Sequence, residues 1–248
     1  DGWRNRTRST TRAIDNLSTV DFPTALADAT PFDLVGFDAC LMQMLEVTYQ
    51  IRNNASYVVA SEELENDTGY DYTGWLSDLV ATPTMTPLQL GTSIASNTFA
   101  MYNTGSTDQT QSVVDTSQLS TLATAMSTFE QALYADRTTE AAQLAAARSN
   151  TETFWYNGSG YIDLYDYAVQ VKAQSSVAAV DNAADGVMAA VTAAVKANYR
   201  DAATRSGAHG LAIYVPTPSS FQGDASAYAQ LAFTQATNWG QWLSNQQQ

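Results

Sequence analysis

Cys40 is the only cysteine in a chain of 248 residues, and Asp38 stands two positions before it in Phe37-Asp38-Ala39-Cys40-Leu41-Met42. A thiol becomes a nucleophile when its anion is stabilised, and a helix amino terminus does this with free N–H groups and a partial positive charge. A buried structural role is the commoner fate of a free thiol, which packs as a small hydrophobe. Position alone leaves both readings open. In extended chain, residues i and i+2 face the same way, so Asp38 would set a carboxylate beside the thiol. As a direct partner it would hinder, because a neighbouring negative charge disfavours the thiolate. As the floor of a substrate pocket it would select Arg or Lys side chains. As the cap of a helix beginning here it would serve structure, and the two roles are not exclusive.

Other residues offer weaker chemistry. His209 is the sole histidine, and it stands at the start of an apolar strand pattern, where a lone His is more often an edge residue than a base. Glu62 and Asp71 would make a carboxylate pair for a hydrolase, but no spacing recommends them in so acidic a chain. The loop Glu62-Glu63-Leu64-Glu65-Asn66-Asp67 carries enough oxygen ligands for calcium without the ordered spacing of an EF-hand. Tyr70, Tyr72 and Trp75 read as packing groups or pocket walls, and no Gly-rich phosphate loop is present.

These residues need a scaffold. A short helix is expected over 21–29, and the apolar run Phe32 to Phe37 reads as a buried strand. From Leu41 onward, Leu41, Met44, Leu45, Thr48 and Ile51 recur at helical spacing, with Gln43, Glu46, Gln50 and Arg52 mostly on the other side, so strand gives way to helix at Cys40. Tyr57 to Ala60 and Ser112 to Val114 are further strands, the latter ending in a cap at Asp115 and Thr116. Helices are expected over 87–102, 118–134, 139–148, 162–173 and 179–199. The strand Leu211 to Val215, stopped by Pro216 and Pro218, precedes a final amphipathic helix over 228–243. This alternation predicts an α/β layered fold with a mainly parallel sheet flanked by helices, plus an α-rich subdomain. In such sheets sites form beyond the carboxyl ends of the strands, and Cys40 lies at one.

Composition narrows the partners. Hydrophobic residues make up 45% of the chain, ample for a large core, and the net charge of −14 argues against nucleic acid, whose affinity depends on Lys and Arg clusters. Arg4, Arg6, Arg8 and Arg12 are four of the eleven basic residues and crowd the first twelve positions. A single cysteine excludes internal disulfides, and no apolar window of ~18 residues suggests a membrane span.

The segment around Cys40, preceded by Asp33-Leu34-Val35-Gly36 and followed by Glu46-Val47, resembles the clostripain family of cysteine peptidases. Val58-Val59-Ala60-Ser61-Glu62-Glu63, Gly69-Tyr70-Asp71-Tyr72, Val114-Asp115-Thr116-Ser117-Gln118-Leu119, Tyr161-Ile162-Asp163-Leu164-Tyr165-Asp166 and Gly210-Leu211-Ala212-Ile213-Tyr214-Val215-Pro216 follow in the family's order. The resemblance implies a caspase-like fold whose amino-terminal strands are missing from this chain. It implies cleavage of peptides and proteins after Arg or Lys by a Cys-His dyad, and in some members dependence on calcium. Cys40 matches the nucleophile and Asp38 the acidic residue that binds the basic side chain. The dyad histidine belongs to a His-Gly pair that would fall just before Asp1-Gly2-Trp3, on a preceding segment or light chain, so the chain alone is expected to be inactive. Arg4, Arg6, Arg8 and Arg12 then become a stretch that the enzyme could cut itself or use as a plug. The expected organisation is a catalytic core over 1–116, a helical subdomain over 117–205, and a returning core strand with a terminal helix over 206–248. Secretion or cell-surface display by a microbe suits the acidic, cysteine-poor composition. The rival reading is a binding or adhesion module that kept the fold and lost catalysis.

Overall fold

A computed structural model describes residues 17–27, 31–103 and 107–245; the arginines at 4, 6, 8 and 12 lie outside them. A single helical turn over Thr19–Asp21 leads into α1 (Phe22–Ala25), shorter than the helix expected there. The central sheet holds β1 (Phe32–Gly36), β2 (Ala55–Ala60), β3 (Thr110–Asp115) and β5 (Val195–Arg200), in that spatial order. β1 and β2 run parallel with Phe32 opposite Ala55 and Gly36 opposite Val59. β3 runs antiparallel to both of its neighbours, with Tyr57 opposite Asp115 and Thr110 opposite Arg200. The expected α/β layering forms, and the pairing among the described strands is mixed. A second, two-stranded antiparallel sheet joins β4 (Tyr161–Asp163) to β6 (Ala212–Tyr214).

Period-two alternation explains the layers. Val59 and Val113 face one side, where Ile94 and Ala95 of α4 (Pro87–Tyr102) cover them together with Tyr70. Gly91 lets α4 approach closely, since a Cβ there would lie 3.2 Å from Leu34 and 3.3 Å from Val113. Thr86 and Gln89 start α4 with a reciprocal capping box. Val58 and Val114 face the opposite side. There they join a core containing Leu45 and Val47 of α2 (Leu45–Gln50), Leu122, Met126 and Phe129 of α5 (Leu119–Asp136), and Val187 and Val191 of α8 (Ala178–Ala194). The same core continues through Ala147 of α6 (Ala141–Asn150), Leu164 of α7 (Leu164–Gln174), Ile213 and Trp239. α3 (Tyr72–Ala81) packs beside α4. None of the described helices is long and apolar enough to cross a membrane.

The structure departs from the sequence expectations in several places. The segment 195–199, expected as the end of a helix, pairs with β3 as β5, because the open edge of β3 and the strand-forming Val195 and Tyr199 outweigh the alanine-rich run before them. Tyr161–Asp163 forms β4 before α7, whose first turn is capped by Asp163 accepting from the Asp166 N–H. Two short helices, α9 (Pro218–Phe221) and α10 (Ala225–Tyr228), precede the expected terminal helix, and that helix is itself divided into α11 (Ala232–Ala236) and α12 (Trp239–Asn245). Thr237, extended at φ −135° and ψ 170°, makes the last break. α2 begins only at Leu45, because the chain before it bonds to other segments: Leu41 N–H donates to Glu63 O, Gln43 N–H to Ser61 O and Ala212 N–H to Gln43 O, and Met44 is extended at φ −108° and ψ 146° beside Ala212. Burial from other segments gives Leu41 and Met44 the spacing of a helical stripe before the helix itself begins.

Gln43 and Glu46, placed by that pattern on a polar face, are fully buried. Gln43 donates to Ser112 Oγ at 2.9 Å, and Glu46 Oε1 accepts from Tyr214 N–H at 2.9 Å and Tyr228 OH at 2.6 Å. Burial pushes the Glu46 carboxyl up to about 7, against the lowering effect of the Tyr228 bond. A raised acid binds its proton in the folded chain and releases it in the unfolded one, so stability falls as pH rises from about 4.5 to about 7. The contribution is on the order of 3 kcal/mol at most. Glu46→Gln keeps the acceptor and cannot ionise. Its melting temperature is expected to gain steadily on the wild type across that pH window, and equal slopes in thermal melts at pH 5 and pH 7 would refute the assignment.

Candidate active site

Because β1 and β2 are parallel, their carboxyl ends open on the same edge of the sheet, and the antiparallel β3 begins there. Three segments therefore meet: residues 37–43 after β1, the loop 61–72 after β2, and Thr110 at the start of β3. Phe37 N–H donates to Val59 O, which extends the parallel pairing by one residue. Thr110 Oγ1 accepts from Glu62 N–H at 3.1 Å and Glu63 N–H at 3.0 Å, fixing the root of the loop.

Cys40 is half-buried on the first segment, and its Sγ accepts the Glu65 N–H at 3.3 Å. No helix amino terminus supports it, contrary to expectation, since α2 starts five residues later. A single backbone donor stands in that place. The next residue, Leu41, is buried at φ 60°, in the left-handed region that a non-glycine residue enters at a cost of about 1–3 kcal/mol. That bend turns the chain from the thiol into the extended run beside Glu63.

Asp38 is exposed, and it does not cap α2. Its Oδ1 accepts the Tyr70 N–H at 3.0 Å and its Oδ2 accepts the Tyr72 OH at 3.0 Å. Each carboxylate oxygen has two acceptor positions, so the group is oriented with capacity to spare. Tyr70 is itself pinned, donating its hydroxyl to Phe37 O at 2.7 Å and Val59 O at 3.0 Å. Gly69 makes the approach possible: its φ is +73°, and a Cβ there would lie 2.4 Å from Asp38 Oδ2.

Glu65 links the two candidates and was not singled out in the sequence, where it looked like one more carboxylate of an acidic loop. Burial, with a smaller push from the Asp38 charge, raises its carboxyl to about 8, while the bond from Gln111 opposes the shift. Glu65 is therefore mostly protonated at neutral pH and adds little negative charge beside the thiol. It also lines a cavity of ≈ 380 Å³ together with Glu63, Asp67, Asp108, Trp155 and Arg205. Arg205 pairs with Glu63 at 2.5 Å and with Glu152 at 3.1 Å.

The remaining candidates belong to other networks. His209 Nδ1 lies 2.7 Å from Gly207 O and 3.3 Å from Asp163 Oδ1, and its ring stacks on Tyr165 at 4.4 Å. Burial alone would lower its pKa, but the Asp163 carboxylate raises it on balance. None of these partners is Cys40. Glu62 is buried, accepts the Gly210 N–H at 2.9 Å, and is held well above the usual carboxylate range by burial and by Asp163. Asp71 caps α3 through the Gly74 N–H, so the Glu62–Asp71 pair is not assembled. The acidic loop does not fit a calcium centre. Glu62 turns to Gly210, Glu63 to Arg205 and Glu65 to Gln111, and among the described residues no three His, Cys, Asp or Glu side chains gather at metal-holding distance.

Solved structures share this fold. A clostripain from Bacteroides thetaiotaomicron in complex with the peptide inhibitor BTN-VLTK-AOMK is 17% identical at a TM-score of 0.68, covering 93% of this chain and 99% of that one. A secreted C11 cysteine protease from the same organism, in complex with an irreversible peptide inhibitor, is 22% identical at 0.68, covering 97% and 70%. An inactive zymogen C11 protease from Parabacteroides distasonis is 20% identical at 0.68, covering 88% and 61%. No curated protein sequence matches the chain. The family model described as the clostripain family matches residues 4–245, and the chain therefore belongs to that family of cysteine peptidases.

Proposed function

We propose that the full protein is an endopeptidase that cleaves after Arg or Lys, with Cys40 as nucleophile and Asp38 receiving the basic side chain. The observation that carries this reading is the pairing of the two on one loop, with the Asp38 carboxylate aimed by Tyr70 and Tyr72 and its neighbour Glu65 kept mostly neutral. The thiolate attacks the carbonyl carbon of the scissile bond, the amine leaves with a proton from an imidazolium, and water then cleaves the thioester. The imidazole belongs, in this reading, to a segment preceding residue 1. The peptide inhibitor bound to the similar clostripain, BTN-VLTK-AOMK, ends its peptide in a basic residue, which supports the preference. Arg4, Arg6, Arg8 and Arg12 would be sites of self-processing, a reading that the zymogen neighbour favours, and export is favoured by the neighbour described as secreted.

The test is hydrolysis of fluorogenic peptides ending in Arg, Lys, Leu or Glu by protein that includes the upstream segment. Turnover restricted to Arg and Lys peptides supports the proposal; equal turnover of Leu peptides overturns the specificity, and no turnover overturns the activity. Gly69→Ala supplies a structural check. The added Cβ must displace Asp38, so kcat/KM for basic peptides is expected to fall about 10-fold or more while the fold persists. An unchanged kcat/KM would mean that the position of Asp38 does not matter.

A further inference from the structure

A second site lies away from Cys40, in a cavity of ≈ 310 Å³ between α6, α7, α12 and the chain leaving β6. Its walls are apolar where Leu144, Val215, Pro216 and Trp242 meet, and cationic where Arg137 and Arg148 enter. No carboxylate among the described residues lines it, although the chain carries 25 Asp and Glu against 11 Lys and Arg. Of the other described cations, Lys172 pairs with Asp185, Lys196 with Asp115 and Arg205 with Glu63, while Arg52 and Arg200 bond to backbone carbonyls. Arg137 and Arg148 have no ion pair among the described residues. Arg137 donates to Tyr134 O and lies over the Tyr134 ring at 3.9 Å, and Arg148 Nε donates to Val215 O at 2.6 Å. These contacts hold the guanidinium groups in place and leave the charge of each unanswered. Arg137 Nε, Arg148 Nη2 and Trp242 Nε1 are shielded from water without a hydrogen-bond partner, a state that costs about 1–3 kcal/mol per group and more for a charged one.

We infer that this cavity binds a small monocarboxylate with an apolar body, its carboxylate on Arg137 and Arg148 and its hydrocarbon portion against Leu144, Val215 and Trp242. A guanidinium fork matches a carboxylate in shape as well as charge, and the apolar walls give an inorganic anion nothing to bury. The size suits a ligand that is mostly enclosed. The site shares no lining residue with Cys40, Asp38 or Glu65, so it does not depend on the peptidase reading.

Calorimetric titration with octanoate, octanol and inorganic phosphate tests it, with the indole N–H resonance of Trp242, identified by loss in Trp242→Phe, as a local reporter. Octanoate should bind saturably at one site, shift that resonance, and bind at least about 10-fold more tightly than octanol or phosphate. Arg137→Gln and Arg148→Gln should each weaken octanoate about 10-fold or more while leaving octanol unchanged. Arg148 also braces Val215, so near-ultraviolet circular dichroism checks its fold, and Arg137→Gln decides the matter if Arg148→Gln unfolds. No saturable octanoate binding, equal binding of octanol or phosphate, or insensitivity to Arg137→Gln would each overturn the inference.

Discussion

Cys40→Ala is expected to lower kcat/KM of the full protein on Arg- and Lys-ended peptides by a factor on the order of 10⁴ or more, the scale at which loss of a covalent nucleophile registers. Alanine leaves no atom able to form the thioester, whereas the surroundings barely change. Sγ is half-buried, packs at the edge of the core, and has its hydrogen bonds with the backbone of one residue, Glu65. Truncation frees one backbone N–H at a partly solvated place, so stability should move by no more than about 1 kcal/mol. The combination discriminates: a thiol that merely packs would cost stability when removed and leave turnover intact. Activity within tenfold of wild type, measured on protein that includes the upstream segment and retains its melting temperature, would remove Cys40 from the chemistry. Alkylation offers an independent readout: Cys40 is the only thiol of these 248 residues, so loss of turnover with iodoacetamide should track modification of the one cysteine-bearing peptide from this region.

The candidate residues Asp38 and Cys40 could be picked out because their mark is local spacing, whereas their surroundings were not legible, because they come from distant segments. Asp38 and Cys40 sit two apart after a recognisable strand, and that much could be read directly. What orients Asp38 is a glycine at positive φ and two tyrosines on another loop, and what touches Cys40 is the backbone of Glu65. A backbone donor has no side-chain signature. The helix expected to begin at Cys40 starts late for a related reason: Leu41 pairs with the loop after β2 and Met44 with β6, so their burial does not come from a shared helical face. Glu46 shows the limit most plainly. Its place in an amphipathic pattern promised solvent, but Tyr214 and Tyr228 reach it from the far end of the chain, and a buried carboxyl accepting their bonds resembles a surface one in sequence. β2 and β3 were readable since their apolar residues are buried on both faces, while β5 continues an alanine-rich helix and is a strand only because β3 offers it an edge.

Asp38→Asn is the sharper test of specificity, because it removes a charge while keeping the shape. The asparagine oxygen can still accept the Tyr70 N–H, and its amide can face the Tyr72 hydroxyl, which rotates to accept. The loop should therefore stand. A guanidinium or ammonium entering the site would instead meet a neutral amide and a protonated Glu65, having left water without gaining a counter-charge. Losing one partner of a desolvated charge pair costs roughly 2–5 kcal/mol, so kcat/KM for Arg and Lys peptides should drop by about 10²- to 10³-fold. Turnover of neutral-ended peptides, low in both proteins, should not fall with it, and the ratio of the two is the diagnostic quantity. Asp38→Glu retains charge but lengthens the side chain into the space beside Gly69, so it should recover only part of the loss. Raising pH should partly rescue Asp38→Asn, since Glu65, relieved of the Asp38 charge, ionises below its wild-type value of about 8 and supplies a misplaced negative charge, whereas the wild type should show no such gain. A variant that keeps its full preference for basic peptides would mean that the selecting charge lies elsewhere, with Asp67 and Asp108 of the adjoining cavity as the next residues to replace.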